Sequence, residues 1–104
     1  MVARMTIPVR LVLNVFLHDP DAERYGLEIA ESAGLASGTI HPILARLEGA
    51  GWLTSHWEDV DPHEMGRPAR RYYRLTEAGL REARDRLAQA APVPRLSLAL
   101  GTAR

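Results

Sequence analysis

Apolar positions recur along this chain at two different periods, and each change of period marks a boundary between elements. Residues 6–18 are mostly apolar, with Thr6 placed as an N-cap and Pro8 in a first turn where its missing N–H costs least. This predicts a largely buried first helix, ended by Asp19, Pro20 and Asp21. A second helix is expected over residues 24–32, with Leu27, Ile29, Ala30 and Ala33 on its apolar side and Gly34 just past its end.

A tight connection leads into a third helix that begins at Ser37 or Gly38 and runs to Ala50, the spacing of a helix-turn-helix. Ile40, Ile43, Leu44 and Leu47 fall at i, i+3, i+4 and i+7, so one stripe faces a core. Thr39, His41, Pro42, Ala45 and Arg46 lie on the other side. Pro42 forfeits one backbone hydrogen bond inside the helix and pushes its ring toward the carbonyl of residue 38, where glycine leaves room to adjust.

The period then becomes two. Residues 52–58 alternate, with Leu53, Ser55 and Trp57 on one side, and residues 70–75 supply a return strand. On that strand Tyr72 and Arg74 share one face and Tyr73 and Leu75 the other, so at least one tyrosine belongs to the core. Residues 59–69 form a polar tip containing proline and glycine, suited to an exposed wing. Thr76 caps a last helix extending to about residue 91, with Leu80, Ala83 and Leu87 on one stripe and Glu77–Arg81 and Glu82–Arg86 as solvated i,i+4 pairs. Pro92 and Pro94 stop it.

The expected fold is therefore mainly α with a small β-hairpin: a winged helix-turn-helix with a C-terminal helix following the wing. Residues 1–91 make the domain with its dimerisation helices and residues 92–104 a tail without firm periodicity.

A length of 104 residues at 46% hydrophobic content suits one core. No apolar run is long enough to span a bilayer and no leader pattern stands near the start, so a soluble, cytoplasmic protein is expected. The absence of cysteine removes disulfides, thiolate zinc sites and cysteine nucleophiles. His41, His56 and His63 lack the spacing of a metal site, and no catalytic triad, phosphate loop or carboxylate pair stands out. No metal, no cofactor and no enzymatic activity are expected.

Formal net charge is zero, which by itself argues against a nucleic-acid partner. The distribution argues the other way: Glu58, Asp59, Asp61 and Glu64 are clustered, and Arg67, Arg70, Arg71 and Arg74 follow without an intervening acid. All 13 basic residues are arginine, a pattern better explained by genomic base composition than by selection at each site.

In a winged helix the third helix enters the major groove and the wing reaches the backbone or the neighbouring minor groove. The expected DNA-binding residues are then Ser37 and Thr39 at the helix N-terminus, His41, Pro42 and Arg46 on its exposed side, and Arg67, Arg70 and Arg71 in the wing. Arg67 at the tip is the candidate for minor-groove or phosphate insertion, and Arg70 and Arg71 for phosphate clamping. Arg74 is open to pairing with the acidic cluster instead. The bland alternatives are that Arg46 and Glu48 are solvated helix residues, and that the wing arginines only neutralise the acids before them.

Two segments resemble the PadR family of bacterial transcription regulators. One comprises Gly38, Thr39, Ile40, Pro42, Leu44, Arg46, Leu47, Glu48 and Gly51; the other comprises Gly66, Arg67, Pro68, Arg71, Tyr72, Tyr73, Leu75, Thr76 and Gly79. His41 stands where that family usually has tyrosine. The resemblance implies a homodimeric repressor on a palindromic operator in double-stranded DNA, paired through the first and last helices, with a small hydrophobic or aromatic compound as effector. The competing function is a winged-helix protein-interaction module without sequence-specific DNA binding, to which the zero net charge and the apolar tail point.

Overall fold

The computed structural model describes residues 4–90. The elements are α1 (Ile7–His18), β1 (Arg24–Tyr25), α2 (Gly26–Ala33), α3 (Ser37–Gly49), β2 (Leu53–Trp57), a one-turn helix α4 (Pro62–Met65), β3 (Arg71–Leu75) and α5 (Glu77–Gln89). The tail expected over residues 92–104 and the helix end expected at residue 91 lie outside the described residues.

Helix α1 begins as the sequence predicts, with the Val9 N–H donating to Thr6 Oγ1 at 3.3 Å and Pro8 in the first turn. Its Val9, Val12, Leu13 and Phe16 meet Ile29 of α2 and the stripe Ile40, Ile43, Leu44 and Leu47 of α3 in one core. Each side chain of this size, fully buried, contributes about 1.5–3 kcal/mol. Trp52, Leu53, Leu75 and Ala83 close the same core from the wing and α5, so the hairpin and last helix are fixed to the three-helix body.

The second helix starts later than its apolar pattern suggests. Arg24 and Tyr25 form a third strand, pairing antiparallel with β3 (Arg24↔Tyr73, Tyr25↔Tyr72) and giving a sheet in the order β1-β3-β2. Two residues are too few to show alternation, and their partner lies almost fifty positions away, so local periodicity carries no trace of the strand. Helix α2 then opens at Gly26, with the Tyr25 N–H donating to Glu28 Oε1 at 3.3 Å. Leu27, expected on the apolar side, is turned outward and is 58% exposed.

Gly34 ends α2 at φ 71°, a left-handed conformation that costs glycine little and other residues more. The Leu35 N–H returns to the Ala30 carbonyl at 3.0 Å, and Leu35 and Ala36 alone link this cap to α3. The wing register pairs Leu53↔Leu75, Ser55↔Tyr73 and Trp57↔Arg71 on one face and Thr54↔Arg74 and His56↔Tyr72 on the other, the alternation expected from the sequence. Among the described residues no helix is long and apolar enough to cross a membrane.

Candidate nucleic-acid interface

Helix α3 divides cleanly along its axis. Ile40, Ile43, Leu44 and Leu47 are buried, whereas Ser37, Thr39, His41, Pro42, Ala45 and Arg46 are all exposed. Five of the expected contact residues thus lie on one outward side. Ala36 caps the helix and has no side-chain oxygen to satisfy the first-turn N–H groups beside Ser37 and Gly38. At the other end of the face, Arg46 Nε reaches back to the Pro42 carbonyl at 3.5 Å. His41 leans on the start of α2: a Cβ placed on Gly26 would stand 3.2 Å from His41 Cε1. Glu48 is only partly solvated, because the Ser55 hydroxyl donates to Glu48 Oε2 at 2.6 Å and ties the end of α3 to the wing.

In the wing, Arg67, Arg70, Arg71 and Arg74 each have a partner within the chain. Arg67 grips Glu58 with two nitrogens, Nη1 to Oε1 at 2.8 Å and Nη2 to Oε2 at 3.1 Å, and Nη1 also donates to the Pro68 carbonyl at 3.1 Å. Glu58 further accepts the Arg70 N–H at 3.1 Å, while its own N–H donates to the Arg70 carbonyl at 2.7 Å. Arg67 thereby holds the Glu58 carboxyl down to a pKa of about 2, with the Arg70 N–H adding to the effect. The Arg70 guanidinium lies over the Tyr25 ring, 4.1 Å from its centroid. Arg71 lies over the Trp57 ring at 5.1 Å and is 3.9 Å from Glu48. Arg74, considered for pairing with the acidic cluster, instead donates to the Asp21 carbonyl at 3.4 Å.

Extending the hairpin register one step beyond Trp57↔Arg71 places Glu58 opposite Arg70, so that half of the arrangement was readable once the strands were aligned. The Arg67 contact was not, because it depends on how α4 folds the tip. Asp61 caps this turn by accepting the His63 N–H at 2.9 Å, and Gly66 closes it.

A second contact joins the wing to the body on the outer face. His56 Nε2 is 2.6 Å from Glu23 Oε2, and its ring stacks on Tyr72 with centroids 6.0 Å apart. The hydrogen bond to Glu23 raises the pKa of His56. His41, His56 and His63 sit in different places, and among the described residues no group of three or more His, Cys, Asp and Glu side chains could hold a metal. Between α1 and α2 lies a cavity of about 290 Å³, lined on its apolar side by Leu11 and Val15 and elsewhere by Asn14, His18, Arg24 and Ser32.

The chain that carries this helix face and arginine-bearing hairpin is matched over residues 12–85 by the model of the transcriptional regulator PadR-like family. The chain belongs to the PadR-like family of transcriptional regulators. These are regulators rather than enzymes. Among curated proteins no sequence matches the chain.

Solved structures with this fold include Bacillus subtilis PadR in complex with operator DNA, with 21% identity, 86% of this chain and 52% of that one covered, and a TM-score of 0.66. The smu.1704 protein of Streptococcus mutans UA159 shares 24% identity over 86% of this chain and 82% of its own, with a TM-score of 0.63. Reduced AbfR bound to DNA shares 24% identity over 75% and 52%, with a TM-score of 0.60. The chain thus spans about half the length of Bacillus subtilis PadR. It has a PadR-like winged-helix fold with a C-terminal helix after the wing.

Proposed function

We propose that the chain binds duplex DNA through α3 and the β2–β3 wing, as a homodimeric repressor acting on a palindromic operator in the cytoplasm. One observation carries the reading: α3 buries an entire apolar stripe and leaves Ser37, Thr39, His41, Pro42 and Arg46 together on the outside. That face is small, polar and weakly cationic. Such a surface approaches base edges closely, while the free N–H groups of the helix start favour phosphate. Family membership supports the regulatory role, and two structures of the same fold hold DNA.

A homodimer suits this reading because a palindromic operator presents two equivalent half-sites to two-fold related subunits. Ile7 on α1, 42% exposed, supports pairing through the first helix. The cavity between α1 and α2 is the place on this chain for a small effector: Leu11 and Val15 suit its apolar body, and Arg24, whose buried Nε has no hydrogen-bond partner, suits a polar end.

The test is an electrophoretic mobility shift with duplex taken from upstream of the chain's own gene, alongside unrelated duplex, with mass measured by light scattering. Selective retardation by a dimer supports the reading. A protein that ignores both duplexes, or retards them equally, leaves the surface of α3 to a protein partner.

A further inference from the structure

We infer that Arg67 is a positioning residue that shapes the wing through Glu58, and that the DNA phosphates are met by Arg70 and Arg71. This rests on the DNA-binding reading above and assigns the roles within it.

The distinction lies in which part of each guanidinium is engaged. A guanidinium offers acceptors the N–H groups around its planar edge, whereas its two faces stack on aromatic rings. Arg67 has committed both terminal nitrogens: Nη1 and Nη2 each hold an oxygen of Glu58, and Nη1 also donates to the Pro68 carbonyl. Both partners are well covered, the Arg67 side chain 27% exposed and that of Glu58 15%. For Arg67 to reach a phosphate it would have to abandon a covered, bidentate carboxylate.

Arg70 and Arg71 are engaged differently. Their guanidinium carbons stand 4.1 Å and 5.1 Å from the ring centroids of Tyr25 and Trp57, cation–π contacts that take up no N–H donor in a hydrogen bond to a carboxylate. Arg71 also has Glu48 nearby, but at 3.9 Å and with both side chains about one-third exposed, a weak restraint. Glu58 connects the two groups of residues. The carboxylate that binds the Arg67 side chain also accepts the Arg70 N–H, and the Glu58 N–H donates to the Arg70 carbonyl. Arg67 and Glu58 therefore fix the backbone from which Arg70 and Arg71 project.

Salt dependence separates a phosphate contact from a strut, because each phosphate neutralised contributes about 0.9 to the slope of log K against log salt. Binding to upstream duplex would be measured by fluorescence anisotropy over a salt series for the wild type, Arg67→Ala, Glu58→Gln, their double variant and Arg71→Ala. Circular dichroism melts would confirm folding, and Arg67→Gln, which keeps a hydrogen-bonding amide without the charge, would replace Arg67→Ala if the latter did not fold. Arg67→Ala and Glu58→Gln are each expected to weaken binding about 3–10-fold by loosening the wing, with the slope unchanged and no further loss in the double variant. Arg71→Ala is expected to lower the slope by about 0.9.

Removing a carboxylate near DNA strengthens binding when that carboxylate only repels phosphate. Tighter binding by Glu58→Gln, or a slope lowered by about 0.9 in Arg67→Ala or Arg67→Gln, therefore makes Arg67 a phosphate ligand and overturns the assignment. A wild type that does not bind duplex at all overturns the DNA-binding reading with it.

Discussion

Gly79 lies so close to Trp52 that a Cβ on it would stand 2.0 Å from the Trp52 carbonyl oxygen. The same oxygen accepts the Thr76 N–H at 3.0 Å and lies 3.3 Å from Thr76 Oγ1, which caps α5 by accepting the Gly79 N–H at 2.9 Å. Thr76 also donates to the Gly51 carbonyl at 2.7 Å. The Thr-x-x-Gly pair after the second wing strand is thus the joint where the end of α3, the base of the hairpin and the start of α5 are fastened together.

Gly79→Ala is expected to destabilise the fold by about 3 kcal/mol, because a backbone carbonyl, unlike the end of a flexible side chain, cannot move aside locally. Thermal unfolding followed by circular dichroism would show a melting temperature lowered by more than 10 °C. An unchanged melting temperature would mean that α5 slides away from Trp52 without penalty.

Thr76→Val keeps the shape of the side chain and removes the hydroxyl that both donates to Gly51 and caps α5. The loss expected in a urea titration is about 1–2 kcal/mol, the usual worth of a threonine N-cap. Thr76→Ser, retaining the oxygen, should recover most of it.

Leu27→Gln tests the outward turn of α2. At 58% exposure the side chain contributes little to the core, so stability should stay within about 0.5 kcal/mol of the wild type. Leu44→Ala, from the fully buried stripe of α3, should instead cost about 2–5 kcal/mol.

The contrast between Leu27 and Leu44 shows what the sequence could convey. Leu44 belongs to a run that repeats at helical spacing from Ile40 to Leu47, about two turns, so its inward direction was legible. The start of α2 was set by the pairing of Arg24 and Tyr25 with Tyr73 and Tyr72, a contact between distant segments that no local pattern records. The site divides in the same way. The exposed face of α3 follows from periodicity alone, whereas the Arg67–Glu58 contact depends on the turn made by α4. Glu58 and Arg67 could be recognised as opposite charges near a hairpin tip, but not as a bidentate pair.

The wing should respond to acid through Glu58. Its carboxyl is lowered from 4.5 to about 2, so its contribution to stability is present above 4.5 and is lost as pH falls through 4.5 toward 2. The difference in stability between the wild type and Glu58→Gln should therefore shrink over that interval and vanish below it. A difference independent of pH would mean that the carboxylate charge is not what holds Arg67.

His56 carries the opposite sign. Its pKa is raised above 6.5 by Glu23, so the contact between β2 and the segment before β1 is fully formed below that pH and weakens as pH rises through the folded-state value. Proton NMR titration should place the His56 ring above 6.5, and Glu23→Gln should return it toward that value.

Binding of the wild-type chain to duplex from upstream of its own gene, compared with unrelated duplex from about 50 to 200 mM salt, tests the role of the α3 face most directly when His41→Ala and Arg46→Ala are measured alongside. The predicted result is selective binding that weakens steeply with salt, with selectivity reduced in both variants. Equal affinity for the two duplexes, unaffected by either substitution, would contradict DNA recognition by this face.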